Sequence, residues 1–455
     1  MTTPTTPINL PPGTVILAEK PSVAGDLAKV LCSAPQKSGS YIETRNGVFL
    51  TWAIGHLLEQ AMPEQYNPEW KRWSWDTLPI LVRDWKMQVR DKAAPQLAAI
   101  GKLLRGAPLV IIATDAGREG ELIAREILDW HKYRGPLKRL WLQAMTQKDI
   151  LKGFAQLKDG SATEGLHQAA LARQRADFLY GINGTRATTL GIRHFKQMYP
   201  LGRVQTLTLY LVVKRAQDIK GFQSKEYYEL QAEVKTAAGH TLKLAHAPRE
   251  ENRIYDRKQA QALADKAMGA NAPLSVANTS EKESPPFPHT LATLQQEANK
   301  VLSWSAQKTL DVAQILYEKY KAISYPRTGC QYLSAAQKEE VPRTLEEVKQ
   351  VMPEAVGILS SMGVDLRDKV FNDAKLEDHH ALVPKDPSSL TRANLGASSD
   401  EMSLYRLIAL RYLRAMAPDM RFDKTAIKLD ANGVEFSASG RVITFEGWRS
   451  LKSAR

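Results

Sequence analysis

Residues 108–121 read PLVIIATDAGREGE, an apolar run that ends in small and charged residues. A similar pattern, TVILAEKPS, occupies residues 14–22, and a segment with helical apolar spacing follows each run. Two strand–loop–helix units predict a parallel sheet with helices on its faces. Polar residues at the carboxyl ends of neighbouring strands converge in such a sheet, which predicts a site there. Its members would be Glu19, Lys20, Asp115 and Glu119, although each could also be an ordinary surface charge.

The length and charge of the chain indicate a multidomain protein with a polyanionic partner. The chain has 455 residues, and single cores rarely grow beyond about 250–300 residues. Lys and Arg outnumber Asp and Glu by 62 to 49, a net charge of +13. This balance favours nucleic acid over a membrane surface as the partner. The two cysteines, Cys32 and Cys330, form no metal-ligand pattern, which disfavours disulfide scaffolds and zinc ribbons.

The N-terminal residues 1–13 are rich in Thr and Pro and lack a basic segment, so we predict a disordered tail rather than a signal peptide. No apolar run reaches the ~18 residues that would span a bilayer. A cytoplasmic, reducing location is therefore expected.

A second informative stretch is KAISYPRTGC at residues 321–330. The preceding residues 309–319 carry apolar side chains at helical spacing, and Pro326 pushes Tyr325 out of helical geometry. Tyr325 should therefore lie on an accessible bend. Arg327 offers donors matched to a phosphate, and a tyrosine oxygen beside a phosphate suits a phosphotyrosyl intermediate. Taken alone, the stretch fits better a tyrosine packed at a domain edge.

The remaining segments alternate between helical and strand-like patterns. Helices are expected at Val23–Leu31, with Ser22 as N-cap, at Leu122–Trp130, over most of Gln143–Lys220, at Leu291–Lys319 and at Ser403–Ala417. Strands are expected within Tyr227–Ala247 and Thr425–Phe445, and the prolines of Ser284–Pro288 mark a boundary.

Two groups of residues are candidates for contacts with nucleic acid. Residues 70–75, WKRWSW, interleave tryptophan with basic residues and could stack bases, although a packed tryptophan cluster is equally plausible. Basic and polar residues of the helical segment could contact phosphates, although a solvated helix face competes for each. The candidates are Arg175, Asp177, Arg186, Arg203 and Gln205.

Together these motifs resemble the type IA DNA topoisomerases, most closely the topoisomerase III branch, over residues 14–448. Segments 15–22, 51–57 (TWAIGHL) and 113–121 look like the glutamate loop, the next loop and the acidic metal motif of the family's Toprim domain. Segment 324–328 (SYPRT) looks like the nucleophile motif of the family. Segment 294–298 (LQQEA) resembles the helix that precedes this motif, and segment 378–381 (DHHA) resembles the histidine element that follows it.

The resemblance implies a multidomain fold of α/β and mainly helical parts. It places a Toprim domain at 14–155, the first half of a helical base domain at 156–222, a β-rich arch or hinge at 223–283 and 400–455, and a helical arch domain bearing the tyrosine at 284–399.

The resemblance also implies roles for the residues around a scissile phosphate. Tyr325 would attack a single-strand phosphodiester and become joined to the 5′ phosphate, with Glu19 as general acid for the leaving 3′ oxygen. Lys20 and Arg327 would hold the phosphate, and His379 would hydrogen-bond near it.

The implied cofactor is Mg²⁺, held by Asp115, Glu119 and Glu19 through carboxylate oxygens and water. No ATP is expected, because the phosphotyrosyl bond conserves the energy of the cut bond, and the sequence has no G-x-x-x-x-G-K-[ST] loop. The implied partners are single-stranded and negatively supercoiled DNA, with no membrane.

The chain departs from the family pattern in three places. Gly117 replaces the middle carboxylate that the acidic motif often has, which implies lower metal affinity and makes a second ion doubtful. Gly329 stands where an aspartate is usual. The chain ends at Arg455, before the family's return segment to the base domain, so we expect cleavage of single-stranded DNA but poor plasmid relaxation.

Two alternatives belong to other classes. The chain could be a fragment that binds single-stranded DNA without turnover, in which case binding depends on salt and plasmid is not relaxed. It could also be a Toprim nuclease or primase, whose activity would survive Tyr325→Phe.

Overall fold

Buried strands alternate with helices in the first third of the chain. The computed structural model describes residues 8–32, 35–192, 197–246 and 253–452. Its first strands are β1 Val15–Ala18, β2 Gln36–Ser38, β3 Tyr41–Glu43, β4 Phe49–Trp52, β5 Leu58–Gln60, β6 Met87–Val89, β7 Val110–Ala113, β8 Leu137–Arg139 and β9 Lys158–Asp159. The helices between them are α1 Pro21–Leu31, α2 Ala94–Leu104, α3 Arg118–Trp130 and α4 Gln147–Ala155. We call residues 8–159 the α/β body.

The main sheet of the α/β body has the strand order β2-β3-β4-β1-β7-β8-β9. Strand β1 pairs in parallel with both β4 and β7, and β7 pairs in parallel with β8. Successive residues of β1 face opposite layers: Leu17 packs with α2 and α3, whereas Ile16 packs with α1 and α4. Helices thus cover both faces, and the carboxyl ends of β1 and β7 lie side by side, as the sequence predicts.

Local details of the α/β body differ from the sequence-based expectation. Helix α1 begins at Pro21 rather than Val23, and its N-cap is Lys20 without a side-chain cap, so the prediction of Ser22 as cap was wrong. Proline suits the first helical position because its missing N–H would have no partner there. Ile8 and Leu10 pack against the core, so the predicted disorder does not extend over residues 8–13.

Two long helices follow, α5 Glu164–Gly191 and α6 Arg203–Lys220. Helix α5 packs along α3, which ties this helical segment to the α/β body. Among its described residues, α6 has no buried side chain, although it carries several leucines and valines.

A second, antiparallel sheet has the order β10-β11-β14-β13-β12. Its strands are β10 Leu230–Lys235, β11 Thr241–His246, β12 Ser275–Glu283, β13 Met420–Ala431 and β14 Val434–Phe445, with helix α7 Arg257–Ala267 beside them. Ala247, at the end of one predicted strand segment, lies outside the described residues. We call this sheet the outer sheet.

The tyrosine-bearing part is helical and has its own core. Its helices are α8 Leu291–Leu302, α9 Ala306–Glu318, α10 Gln337–Lys349, α11 Pro353–Met362, α12 Ser388–Arg392 and α13 Asp400–Ala415. Helix α13 is packed in the same core as α8 and α9, through Leu404, Ile408 and Leu413 among others. We therefore propose that the boundary lies near Met420 rather than at residue 400, and we call residues 284–418 the tyrosine body.

Among the described residues, the helices that are long enough to cross a bilayer are too polar to do so.

Candidate active site

The carboxyl ends of β1 and β7 bring the first predicted residues together. Lys20 Nζ donates to Asp115 Oδ2 at 2.6 Å and lies 3.5 Å from Glu19 Oε1. The backbone N–H of Asp115 donates to Glu19 Oε2 at 3.2 Å. The convergence follows from the parallel pairing of β1 with β7.

Tyr325 reaches this cluster from the tyrosine body. Lys20 Nζ lies 3.9 Å from the centroid of the Tyr325 ring, and the His379 ring centroid is 4.5 Å away. Tyr317 approaches the same ring edge-on at 5.5 Å. The nucleophile candidate is thus surrounded by side chains from both bodies.

The local backbone explains how Tyr325 is presented. After α9 the chain turns through Lys321, whose φ of 54° lies in the left-handed region. Ser324 then pairs with Val383: its N–H donates to the Val383 carbonyl at 3.0 Å, and its Oγ accepts from the Val383 N–H at 2.9 Å. This pairing fixes Tyr325 beside the segment that carries His379.

The local environment raises the pKa values of two groups that could transfer protons, Glu19 and Tyr325. Burial and the nearby charge of Asp115 raise the pKa of the Glu19 carboxyl. Burial also raises the pKa of Tyr325, while the charges of Lys20 and Arg327 act in the opposite direction. Glu19 therefore holds its proton to higher pH than an ordinary glutamate, as a general acid requires.

Asp115 stays ionised at the centre of the cluster. Burial opposes its charge, but the hydrogen bond from His379 Nε2, at 3.1 Å, and the charge of Lys20 hold its pKa well below the usual range. In turn, burial lowers the pKa of Lys20, but the carboxylates of Asp115 and Glu19 outweigh it and raise that pKa. Asp115 and Lys20 therefore both stay charged at neutral pH.

The candidate metal ligands fit Mg²⁺ by their chemistry. Asp115, Glu119 and Glu19 offer carboxylate oxygens, which Mg²⁺ prefers, and Mg²⁺ usually keeps several waters. Asp115 faces Lys20 and His379, whereas Glu119 Oε1 is held by His56 Nε2 at 2.8 Å. In the described parts of the chain, no group of three or more His, Cys, Asp or Glu side chains forms a ready metal cluster. The set suits an ion held by few protein oxygens.

Sequence reasoning assigned no role to His56 or to the buried Arg139. His56 bridges Glu119 and Glu126, with 2.8 Å on each side, and these hydrogen bonds raise its pKa to about 9 despite burial. The TWAIGHL motif contained His56 but did not reveal its partners. Arg139 lies fully buried beneath the site, ion-paired with Glu121, and donates to the Asp115 carbonyl at 2.8 Å. No sequence pattern marked Arg139.

Further contacts join the two bodies around the site. Gln143 Nε2 donates to the carbonyls of Leu376 and Glu377, at 2.9 and 2.8 Å. The hydroxyls of Ser22 and Tyr317 lie 3.3 Å apart. In addition, Ser334 Oγ donates to Asp149 Oδ2 at 3.2 Å, and Lys148 Nζ donates to Glu339 Oε1 at 2.6 Å. We call all of these the closing contacts.

A cleft of about 530 Å³ leads to Tyr325 between the two bodies. Its walls carry five lysines, which suit a polyanion: Lys20, Lys29, Lys37, Lys321 and Lys385.

The candidate nucleic-acid residues on α5 and α6 do not share one environment. Arg203 Nε donates to Asp177 Oδ1 at 2.9 Å and stays exposed, as does Gln205. Arg175 lies 5.2 Å above the Trp85 ring. Arg186 is only 4% exposed and donates to the Trp70 carbonyl at 2.5 Å. In this structure Arg186 holds the tryptophan segment, and its contact with DNA stays a prediction.

The tryptophan segment has both buried and exposed members. Trp85 packs edge-on against Phe178, and the Arg186 guanidinium lies 5.2 Å from the Trp73 ring. Trp73 and Trp75 are 38% and 54% exposed. Packing on α5 accounts for part of this cluster and leaves two rings accessible for stacking.

Comparison with known proteins matches the chain to two family models. The chain matches the DNA topoisomerase family model over residues 161–455 and the Toprim domain model over residues 14–142. A DNA topoisomerase 3 of Shouchella clausii is 40% identical over 443 residues, 96% of this chain and 59% of that protein. The DNA topoisomerase 3 of Salmonella typhimurium is 35% identical over 460 residues, 97% of this chain and 70% of that protein.

A solved structure shares the fold at lower identity. Full-length topoisomerase I from Thermotoga maritima superposes with a TM-score of 0.60 at 21% identity, covering 97% of this chain and 68% of that one. The chain spans about three fifths of the length of several of its relatives. The family matches, the relatives and the fold agree with one another, and the chain belongs to the type IA DNA topoisomerase family, on its topoisomerase III-like branch.

Proposed function

We propose that the protein is a Mg²⁺-dependent, ATP-independent DNA topoisomerase that opens one strand through Tyr325. The observation that carries the proposal is the meeting of Tyr325, from the tyrosine body, with Glu19, Lys20 and Asp115 of the α/β body. A nucleophile and an acid with a raised pKa thus lie on two parts of the chain that have separate apolar cores. Their separation after cleavage would open a gap for strand passage.

The cleavage step joins Tyr325 Oη to phosphorus as the bond from phosphorus to the 3′ oxygen breaks. Glu19 gives its proton to the leaving 3′ oxygen, and the phenol proton passes to solvent. Lys20 and Arg327 offset the charge on the phosphate, while His379 keeps Asp115 oriented. Attack by the 3′ hydroxyl on the phosphotyrosyl bond reverses the step.

Mg²⁺ would be held by Asp115 and Glu119, with Glu19 close by, and would supply positive charge against the DNA phosphates. Glu119 would have to leave His56 for this purpose. We further propose that single-stranded and negatively supercoiled DNA are the substrates, relaxed or decatenated in the cytoplasm. Arg175, Arg203 and Gln205 would contact the strand, and Asp177 would orient Arg203.

The test is covalent capture of DNA. A single-stranded oligonucleotide labelled at its 3′ end is incubated with protein and Mg²⁺, then denatured. Because the protein keeps the 5′ phosphate, the labelled fragment should migrate with it. Tyr325→Phe should abolish this adduct, whereas Tyr317→Phe and Tyr320→Phe, matched losses of a hydroxyl nearby, should retain it.

An adduct that persists in Tyr325→Phe would contradict the assignment. Metal-dependent cutting without any adduct would favour a Toprim nuclease instead.

A further inference from the structure

The tryptophan segment, residues 70–85, is fastened to α5 through its backbone. Asn183 Oδ1 accepts from the N–H of Ile80 at 2.6 Å, and Asn183 Nδ2 donates to the carbonyl of the same residue at 2.9 Å. Further along α5, Arg186 donates to the Trp70 carbonyl. Because side chains of a long helix bind its backbone at both of these points, the segment has a fixed place on α5, although its own helical turns span only three or four residues.

Two tryptophan rings of this segment stay accessible. Trp73 and Trp75 are 38% and 54% exposed, whereas tryptophan is usually highly buried. The guanidinium of the buried Arg186 lies 5.2 Å from the Trp73 ring, and the Thr77 hydroxyl donates to the Ser74 carbonyl between the two rings at 2.9 Å. Two large aromatic side chains are thus presented to solvent from a braced backbone, as a surface for stacking requires.

Basic side chains adjoin the exposed rings. Lys71 and Arg72 are exposed, and within the described ranges neither of them forms an ion pair. Asp76 is the single acid among residues 70–77. Cations that meet phosphates and rings that take bases are the combination with which proteins hold single-stranded nucleic acid. The net charge of +13 favours the same occupant.

Helix α5 connects these rings to the candidate active site. Gln174 Nε2 donates to Glu126 Oε1 at 2.7 Å, and His56 joins Glu126 to the candidate metal ligand Glu119. Arg186 lies about 18 Å further along α5 than Gln174, at about 1.5 Å per helical residue. A single strand that runs along α5 from the active site would therefore reach the exposed rings a few nucleotides from the cut.

We propose that Trp73 and Trp75 form a subsite on which bases of the single strand stack, a few nucleotides from the phosphate that Tyr325 attacks. The inference rests on the proposed function and extends it from the cut phosphate to the bases beyond it. Stacking accepts any base, because every base has a π-face, so the subsite would add affinity without sequence preference. Duplex DNA, whose bases are already stacked on one another, would not gain from it.

The test measures DNA binding in a Tyr325→Phe background, so that no strand is joined to the protein. A single-stranded oligonucleotide of mixed sequence is compared by fluorescence anisotropy with an abasic strand of the same length, which keeps the phosphates and lacks the bases. Trp75→Ala should weaken binding of the mixed-sequence strand by about fivefold or more. The same substitution should leave binding of the abasic strand unchanged.

Two further variants separate stacking from a loss of apolar surface. Trp75→Phe keeps an aromatic ring and should recover most of the lost affinity. Leu81→Ala shortens an aliphatic side chain of the same segment that is 62% exposed, and its affinity should stay within about twofold of the Tyr325→Phe parent. Because a stacked ring neutralises no phosphate, Trp75→Ala should also leave the slope of log K against log salt unchanged.

Binding of the mixed-sequence strand to Trp75→Ala within about twofold of the parent would overturn the inference in favour of a protein partner for the exposed rings. An equal loss on the abasic strand would overturn it too, because the lost contact would then not be to a base. Either result together with a Tyr325-dependent adduct in the unaltered protein would leave the proposed function standing. The reverse pattern, no adduct but a base-dependent loss in Trp75→Ala, would reject cleavage and retain the stacking subsite.

Discussion

Glu19 is the residue whose environment makes the sharpest prediction about pH. Burial and the charge of Asp115 raise its pKa, and a general acid works only while protonated. Single-strand cleavage should therefore decline as pH rises through this raised pKa. Glu19→Gln should cleave about 10²–10⁴-fold more slowly and should lack this decline. The measurement is the initial rate of adduct formation from pH 5 to pH 9.

The same substitution has a built-in folding control. Since the folded protein favours the neutral carboxyl, ionisation of Glu19 costs stability above its raised pKa. Glu19→Gln removes that cost, so its melting temperature at pH 8 should be equal or higher. A rate profile in Glu19→Gln that still declines over the same pH range would exclude Glu19 as the acid.

At the scale of elements, Arg139 joins the ends of β7 and β8. It lies fully buried with Glu121, and it donates to the carbonyls of Thr114 and Asp115 at 2.9 and 2.8 Å. Arg139→Met should leave the buried Glu121 charge with Arg125, 3.4 Å away, as its remaining ion-pair partner among the described residues, and should cost up to about 3–5 kcal/mol. Thermal and urea unfolding should both show the loss.

A matched surface pair provides the control. Arg134 binds Asp129 at 3.1 Å, with side chains 72% and 63% exposed. Arg134→Met should cost less than about 1 kcal/mol. Equal losses for the two substitutions would show that the buried pair does not hold the site.

The elements also show what sequence patterns could reveal. Apolar runs predicted β1 and β7 within two residues, because strands buried on both faces are almost purely apolar. The helical region expected over Leu291–Lys319 contains two helices, since Ser303 adopts a left-handed conformation and Ser305 caps α9. No glycine or proline marked that break. The cluster at the carboxyl ends of β1 and β7 could be predicted from the strands themselves. The roles of His56 and Arg139 could not, because their partners are distant in sequence.

At the scale of the whole molecule, binding of single-stranded DNA should depend on salt through individual cations. Each phosphate contact contributes about −0.7 to the slope of log K against log salt. Arg203→Ala should make the slope shallower by about 0.7. Fluorescence anisotropy of a labelled oligonucleotide from 50 to 300 mM salt measures this.

Lys102 serves as the comparison, because it is exposed in the last turn of α2, which leads into the amino end of β7, whereas the candidate site lies at the carboxyl end of that strand. Lys102→Ala should leave the slope unchanged. If both variants shift the slope alike, the α5–α6 surface is not the DNA path.

The whole-molecule arrangement was the least predictable level. The motifs named Tyr325, Glu19 and Asp115, and the family resemblance implied that the two parts of the chain that carry them must meet. Which surfaces meet depends on single polar contacts such as that of Gln143, which carry no pattern in one sequence.

The closing contacts are polar, which determines the heat-capacity change expected when the two bodies separate. The apolar cores of the α/β body and of the tyrosine body are separate, and in the described ranges no apolar cluster spans both. Parting the bodies would wet mainly polar groups, so the heat capacity should change little. The enthalpy of opening would then be nearly the same at all temperatures, and a plot of the logarithm of the open-to-closed ratio against inverse temperature should be close to a straight line. Opening and closing would thus lack the curvature with temperature that accompanies the exposure of an apolar core.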